Sequence, residues 1–105
     1  MKEIEFKILR VLSVEGNISQ RELSRKAGLS LGSINFILRE FSKRGYIKTE
    51  RIKNVNNKIA YMYVLTPHGI NMLVHQARIL LEQKIGEFEK LKHEIEELEK
   101  RGISL

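Results

Sequence analysis

Apolar residues recur along this chain with three different periods, and each change of period marks an element. Between residues 4 and 15, Ile4, Ile8, Val11 and Leu12 fall at helical spacing. Phe6 and Leu9 widen that stripe, and Gly16 stops it. A second helical pattern opens at Ser19. Ser19-Gln20-Arg21-Glu22 has the form of a capping box. The Ser19 hydroxyl can accept from the third helical N–H, and Glu22 can reach back to the Ser19 N–H. Ile18 and Leu23 stand where a hydrophobic staple clamps such a start. This helix is expected to end near Ala27 and Gly28. A third pattern begins two residues later, capped by Ser30 with Leu29 and Ile34 as its staple. Ile34, Ile37, Leu38 and Phe41 line one face of it. Lys43 and Arg44 fall in its last turn, where cations suit the helix dipole, and Gly45 follows as the C-terminal glycine before Tyr46.

The period then shortens. Ile47 to Lys53 is one strand candidate and Lys58 to Leu65 the other. In the second, Ile59, Tyr61, Tyr63 and Leu65 alternate with Ala60, Met62 and Val64, so both faces are apolar or aromatic. Asn54-Val55-Asn56-Asn57 between them is polar and turn-prone. Thr66 caps the last helix, Pro67 takes its first position and Leu65 with Ile70 forms a staple. From Thr66 to Arg101 only Gly86 weakens this helix, which should run roughly 54 Å.

The elements add up to a mainly α chain with a small β-hairpin (α+β). Helices two and three are separated by almost nothing. Gly28 can take the positive φ a tight turn needs, and Ser24 is small where the helices cross. Leu23, Ala27, Leu29, Ile34 and Ile37 supply the contacts between them. Three helices followed by a hairpin with a polar tip is the order of a winged helix-turn-helix. The expected organisation is a winged helix-turn-helix DNA-binding domain over residues 1–65 and a long coiled-coil-like dimerisation helix over 66–105.

Five stretches occur in the order found in MarR-type winged helix-turn-helix regulators. They are Ser19-Gln20-Arg21-Glu22-Leu23, Gly28-Leu29-Ser30-Leu31-Gly32, Gly45-Tyr46-Ile47-Lys48, Lys58-Ile59-Ala60-Tyr61 and Leu65-Thr66-Pro67-His68-Gly69. The chain resembles most the small members of that group associated with exopolysaccharide gene clusters. The resemblance implies a transcription regulator, and covers nearly the whole chain. Larger members often bind small aromatic ligands between head and dimer domain. This chain has little material for such a pocket, so a small-molecule effector is not expected.

Charge sharpens the picture. The net charge is +6, and residues 1–65 carry +7 of it while residues 66–105 carry −1. A basic half points to a polyanionic partner, here double-stranded DNA. With the apolar stripe of helix three turned inward, the opposite face carries Gly32, Phe36, Arg39 and Lys43, flanked by Ser33, Asn35 and Glu40. Recognition helices read bases mainly with their N-terminal residues. Ser33, Asn35, Phe36 and Arg39 are therefore the candidates for base contact: Asn35 for adenine, Arg39 for guanine, Phe36 for a thymine methyl. Phe36 has a second reading, as a residue packed on the first helix of this or another subunit. Ser30, Gly32, Lys43, Arg21 and Arg25 are candidates for the DNA backbone, with Lys26 beside them. On the hairpin, Arg51, Lys53 and Lys58 flank the polar tip and make a candidate wing contact.

The long helix follows a heptad. Val74, Leu81, Phe88 and Ile95 take the a positions, and Ile70, Ala77, Lys84, Leu91 and Leu98 the d positions. All but Lys84 are apolar. A head of this size cannot bury that seam, so a homodimer is expected. Leu73, Leu80 and Ile85 broaden the first part of the seam, which should pack on the head or in a bundle. In a parallel pair Glu87 would face Lys92, but Glu94 would face Glu99, so strand direction stays open. A symmetric dimer would offer two recognition helices to major grooves about 34 Å apart.

Other chemistry has little to stand on. The chain has no Cys, no Asp and no Gly-rich phosphate loop, so neither an enzyme nor a cofactor is expected. His68 and His75 lie roughly 10 Å apart on a helix, too far to share a metal, and His93 suits a solvated face. No apolar run is long enough for a membrane span, and the N-terminus lacks a signal-peptide core, so a cytoplasmic location is expected. One alternative remains: a winged-helix protein–protein interaction module with a coiled-coil partner helix. Such a module presents an apolar patch on helix three. Here Asn35, Arg39 and Lys43 surround a single Phe36, which favours DNA.

Overall fold

The computed structural model describes residues 1–53 and 59–102, and of residues 52, 53, 59 and 60 the backbone alone. The order is α1 (Glu3–Glu15), α2 (Gln20–Ala27), α3 (Leu31–Lys43), β1 (Ile47–Lys53), β2 (Ile59–Leu65) and α4 (Pro67–Lys100). The chain is mainly helical, with a two-stranded antiparallel hairpin and a long C-terminal helix.

Local signals set the helix ends. The Ser19 hydroxyl accepts from the Glu22 N–H at 3.2 Å, and Ser30 accepts from the Ser33 N–H at 3.1 Å. The return half of the α2 capping box is not made. The Glu22 carboxylate instead pairs with Arg25 at 2.9 Å, one turn on. At the end of α2, Gly28 takes the left-handed conformation at φ 70°. Both its N–H and that of Leu29 donate to the Ser24 carbonyl, at 3.0 and 3.2 Å. The Ser24 hydroxyl in turn donates to the Leu29 carbonyl, so one small side chain closes the turn. At the end of α3, the Tyr46 N–H donates to the Phe41 carbonyl and the Gly45 N–H to that of Ser42. This is a Schellman motif, with Gly45 at φ 76°. Its apolar contact is the edge-to-face pair Phe41–Tyr46, ring centroids 5.8 Å apart.

Ile8, Leu9 and Leu12 of α1, Leu23 and Ala27 of α2, and Ile34, Leu38 and Phe41 of α3 form the core. Two lysines tie α1 to α2: Lys7 donates to the Ala27 carbonyl at 3.1 Å, and Lys26 pairs with Glu15 at 2.8 Å. The hairpin register runs from Ile47 opposite Leu65 to Lys53 opposite Ile59. Tyr63 and Leu65 turn one face of β2 onto the core. Just before α2, Ile18 adds a bridge to β2. Its N–H donates to the Tyr63 carbonyl at 3.3 Å, and the Tyr63 N–H returns to Ile18 at 2.8 Å. The start of α2 is thus bonded to the hairpin.

The first turn of α4 docks on the end of α3. Thr66 caps the helix by accepting from the Gly69 N–H at 3.0 Å, while its hydroxyl donates to the Gly45 carbonyl. The Thr66 N–H donates to the Tyr46 carbonyl at 3.0 Å. The His68 ring lies 5.1 Å from that of Tyr46. Gly69 is buried, and a Cβ there would fall 2.0 Å from the Tyr46 carbonyl oxygen. Met72 and Leu73 also pack on the core.

The chain forms two compact units, Met1–Val74 and His75–Leu105. In the first, the seam positions Ile70 and Val74 are about half exposed. In the second, Ala77, Leu81, Phe88, Leu91, Ile95 and Leu98 are exposed on a continuous helix. Of the residues expected to broaden the seam, Leu73 packs on the core, Leu80 is half-buried and Ile85 is exposed. Among the described residues no helix is long and apolar enough to cross a membrane.

Candidate nucleic-acid interface

Burial of Ile34, Leu38 and Phe41 fixes which face of α3 meets solvent. Gly32, Ser33, Asn35, Phe36, Arg39 and Lys43 are all exposed on it. Phe36 is 66% exposed, so within this chain it does not pack on α1. Arg39 makes no ion pair among the described residues, so its guanidinium is available to a ligand. Lys43 pairs with Glu40 at 3.4 Å on the surface. A Cβ at Gly32 would meet only the Ser30 hydroxyl, at 4.0 Å. Nothing among the described residues requires a glycine there, although glycine in a helix costs about 1 kcal/mol against alanine.

Ser30 and Ser33 act on each other. The Ser30 hydroxyl caps α3 and lies 3.0 Å from the Ser33 hydroxyl. Of the α2 cations, Arg21 makes no ion pair among the described residues, whereas Arg25 is held by Glu22. Such exposed pairs are worth about 0.2–1 kcal/mol, so a phosphate can replace the carboxylate at little cost. No group of acidic residues, histidines or cysteines among the described residues could hold a metal ion.

On the hairpin, Arg51 is exposed and lies opposite Tyr61 in the register. Tyr61 is 57% exposed. Lys58 and the tip Asn54-Val55-Asn56-Asn57 lie outside the described residues, as does the side chain of Lys53.

One polar contact had no counterpart in the sequence pattern. Gln20, the first residue of α2, donates from Nε2 to the Leu31 carbonyl at 3.2 Å. Its Oε1 accepts from Asn35 Nδ2 at 3.4 Å. The two residues are far apart in sequence, and only the crossing of α2 and α3 brings them together.

Residues 1–48 match the family described as winged helix-turn-helix DNA-binding. No curated protein matches the chain in sequence. Among solved structures, a mutant of MepR from S. aureus is similar with a TM-score of 0.74 and 17% identity, over 97% of this chain and 74% of that one. The reduced form of MarR from E. coli gives 0.71 and 21%, over 99% and 79%. The transcriptional regulator BldR from Sulfolobus solfataricus gives 0.64 and 20%, over 96% and 75%. The chain therefore has the winged helix-turn-helix fold of MarR-like structures, including the long helix after the hairpin.

Proposed function

We propose that this chain is a transcription regulator that binds double-stranded DNA sequence-specifically, as a homodimer on an inverted repeat. The observation that carries the reading is the outer face of α3. It holds base-reading residue types, Asn35 and Arg39, in the open, next to a glycine that the chain's own packing does not need. Ser33, Asn35, Phe36 and Arg39 would meet base edges in the major groove. Ser30, Gly32, Lys43, Arg21 and Arg25 would lie along the backbone. Arg51, with Lys53 and Lys58, would reach the neighbouring phosphates or minor groove. The +7 charge of residues 1–65 supplies the non-specific attraction.

The dimer reading rests on α4. Exposed Leu81, Phe88, Leu91, Ile95 and Leu98 repeat with heptad spacing on a 34-residue helix. An apolar stripe of this kind is the signature of a helix that pairs with another. A second copy is the occupant that also supplies a second recognition helix. The five stretches that resemble the small MarR-type regulators lead us to propose exopolysaccharide genes as the target, and we propose the cytoplasm as the place of action. No catalytic role is proposed.

The test is selection of binding sites from random duplex DNA, repeated across salt concentrations. An inverted repeat should be enriched, and affinity should fall steeply with salt. An unenriched pool with a flat salt slope would refute the reading. For the dimer, Phe88→Glu together with Leu91→Glu should yield a monomer by sedimentation that binds half-sites weakly. A variant that stays dimeric would remove α4 as the dimer element.

A further inference from the structure

Gln20 sits at the crossing of α2 and α3, half-buried, with its amide engaged at both ends. The order of those two bonds has a consequence for what α3 can read. The Leu31 carbonyl can only accept, so it fixes the Gln20 amide with Nε2 toward it. That leaves Oε1 facing Asn35, and Oε1 can only accept. Asn35 must therefore turn Nδ2 toward Gln20, because the opposite flip would set two acceptors against each other. The donor–acceptor order of Asn35 is thereby dictated from a backbone carbonyl through one side chain.

Adenine offers an acceptor at N7 and a donor at N6 in the major groove. An Asn amide matches it with one N–H and its oxygen. Asn35 has one N–H committed to Gln20, which leaves the other N–H and Oδ1 for a base. We infer that Gln20 is a positioning residue for base recognition: it holds the Asn35 amide in the orientation that reads adenine. The inference rests on the DNA-binding reading above and adds to it a determinant on α2 that touches no base. Fixing the amide before binding also removes the rotational freedom that would otherwise be lost on docking.

Two substitutions separate this role from a structural one. Gln20→Met keeps the length of the side chain and removes both polar ends. Gln20→Glu keeps an acceptor for Asn35 but replaces the donor to the Leu31 carbonyl with a second acceptor, which breaks the chain at its anchored end. Site selection is carried out with the full chain and with Asn35→Ala, which identifies the base pair read by Asn35. Single-base competition at that pair then follows for both Gln20 variants. Gln20→Met should lower the adenine preference there by about tenfold, leaving the other positions and the salt slope unchanged. Gln20→Glu should also lower the adenine preference, because its second oxygen repels the Leu31 carbonyl and the acceptor for Asn35 is no longer held, and it should bind all duplexes more weakly through its added negative charge. Retention of the full preference in Gln20→Met would overturn the inference. So would an Asn35→Ala variant whose selected site is unchanged at every position. If the unsubstituted chain selects no site at all, the regulator reading fails and takes this inference with it, an outcome visible before any variant is compared.

Discussion

Two glycines on the same helix make opposite predictions for the same substitution. Gly69 and Gly86 both lie within α4, where alanine is favoured over glycine by about 0.8–1.0 kcal/mol. At Gly86 a Cβ would meet nothing within 4 Å, so Gly86→Ala should gain that amount. At Gly69 the Cβ would fall 2.0 Å from the Tyr46 carbonyl oxygen, 2.9 Å from its carbon and 3.1 Å from a Leu65 methyl. Two of those atoms are backbone, held by the Schellman turn and by the Thr66 N–H, and cannot rotate away. Forcing a methyl into such a site costs about 1–3 kcal/mol, and a backbone clash belongs at the upper end. After the propensity gain, Gly69→Ala should lose about 2 kcal/mol, roughly 8–16 °C in Tm for a head of this size. Thermal melts followed by circular dichroism at one fixed protein concentration would measure both variants. The concentration must be fixed because the Tm of the proposed dimer would depend on it. If Gly69→Ala melts at or above the unsubstituted chain, the docking of α4 on Tyr46 is not as described.

Three further outcomes are expected. Gly32→Ala should raise stability by up to about 1 kcal/mol while weakening DNA binding, since the glycine has no role in packing; parallel melting and binding titrations check it, and unchanged affinity would remove Gly32 from the interface. Arg39→Ala should cost about 1–3 kcal/mol of specific affinity and relax one position of the selected site, read by competition with base-substituted duplexes. Lys84→Leu fills the one polar position of the seam, where the lysine now lies 3.6 Å from Glu87; it should tighten self-association, and sedimentation equilibrium showing no change would place Lys84 off the dimer contact.

Much of the head was legible because its signals are local. Ser19, Ser30 and Thr66 each announce a helix start within four residues, and Gly28 and Gly45 each announce an end. The inward face of α3 followed from spacing alone. What stayed hidden depends on residues distant in sequence. Ile18 reads as a staple residue, and nothing nearby signals its bridge to Tyr63. Gln20 reads as the second residue of a capping box, yet its partners are Leu31 and Asn35. Glu22 fits the box template, but Arg25, as far along the chain as Ser19 is before it, offers a charged partner, and the ion pair forms instead. Leu73 and Val74 are both apolar neighbours on α4. Only the tertiary packing separates Leu73, which joins the core, from Val74, which stays about half exposed.

The docking of α4 also decides where this protein can be cut and rejoined. A graft that took residues 1–65 as a portable reader would strip the Tyr46 and Gly45 carbonyls of their Thr66 donors and uncover the core beneath Leu73. The compact unit is residues 1–74, two helical turns longer. A chimaera built at Val74 inherits the junction intact, and it also inherits a heptad phase, because Val74 is itself an a position of the heptad. Any foreign coil joined there must continue that phase residue for residue. In the proposed dimer, a single inserted residue would turn everything beyond it by about 100° around the helix axis, and would re-aim the two recognition helices without touching either.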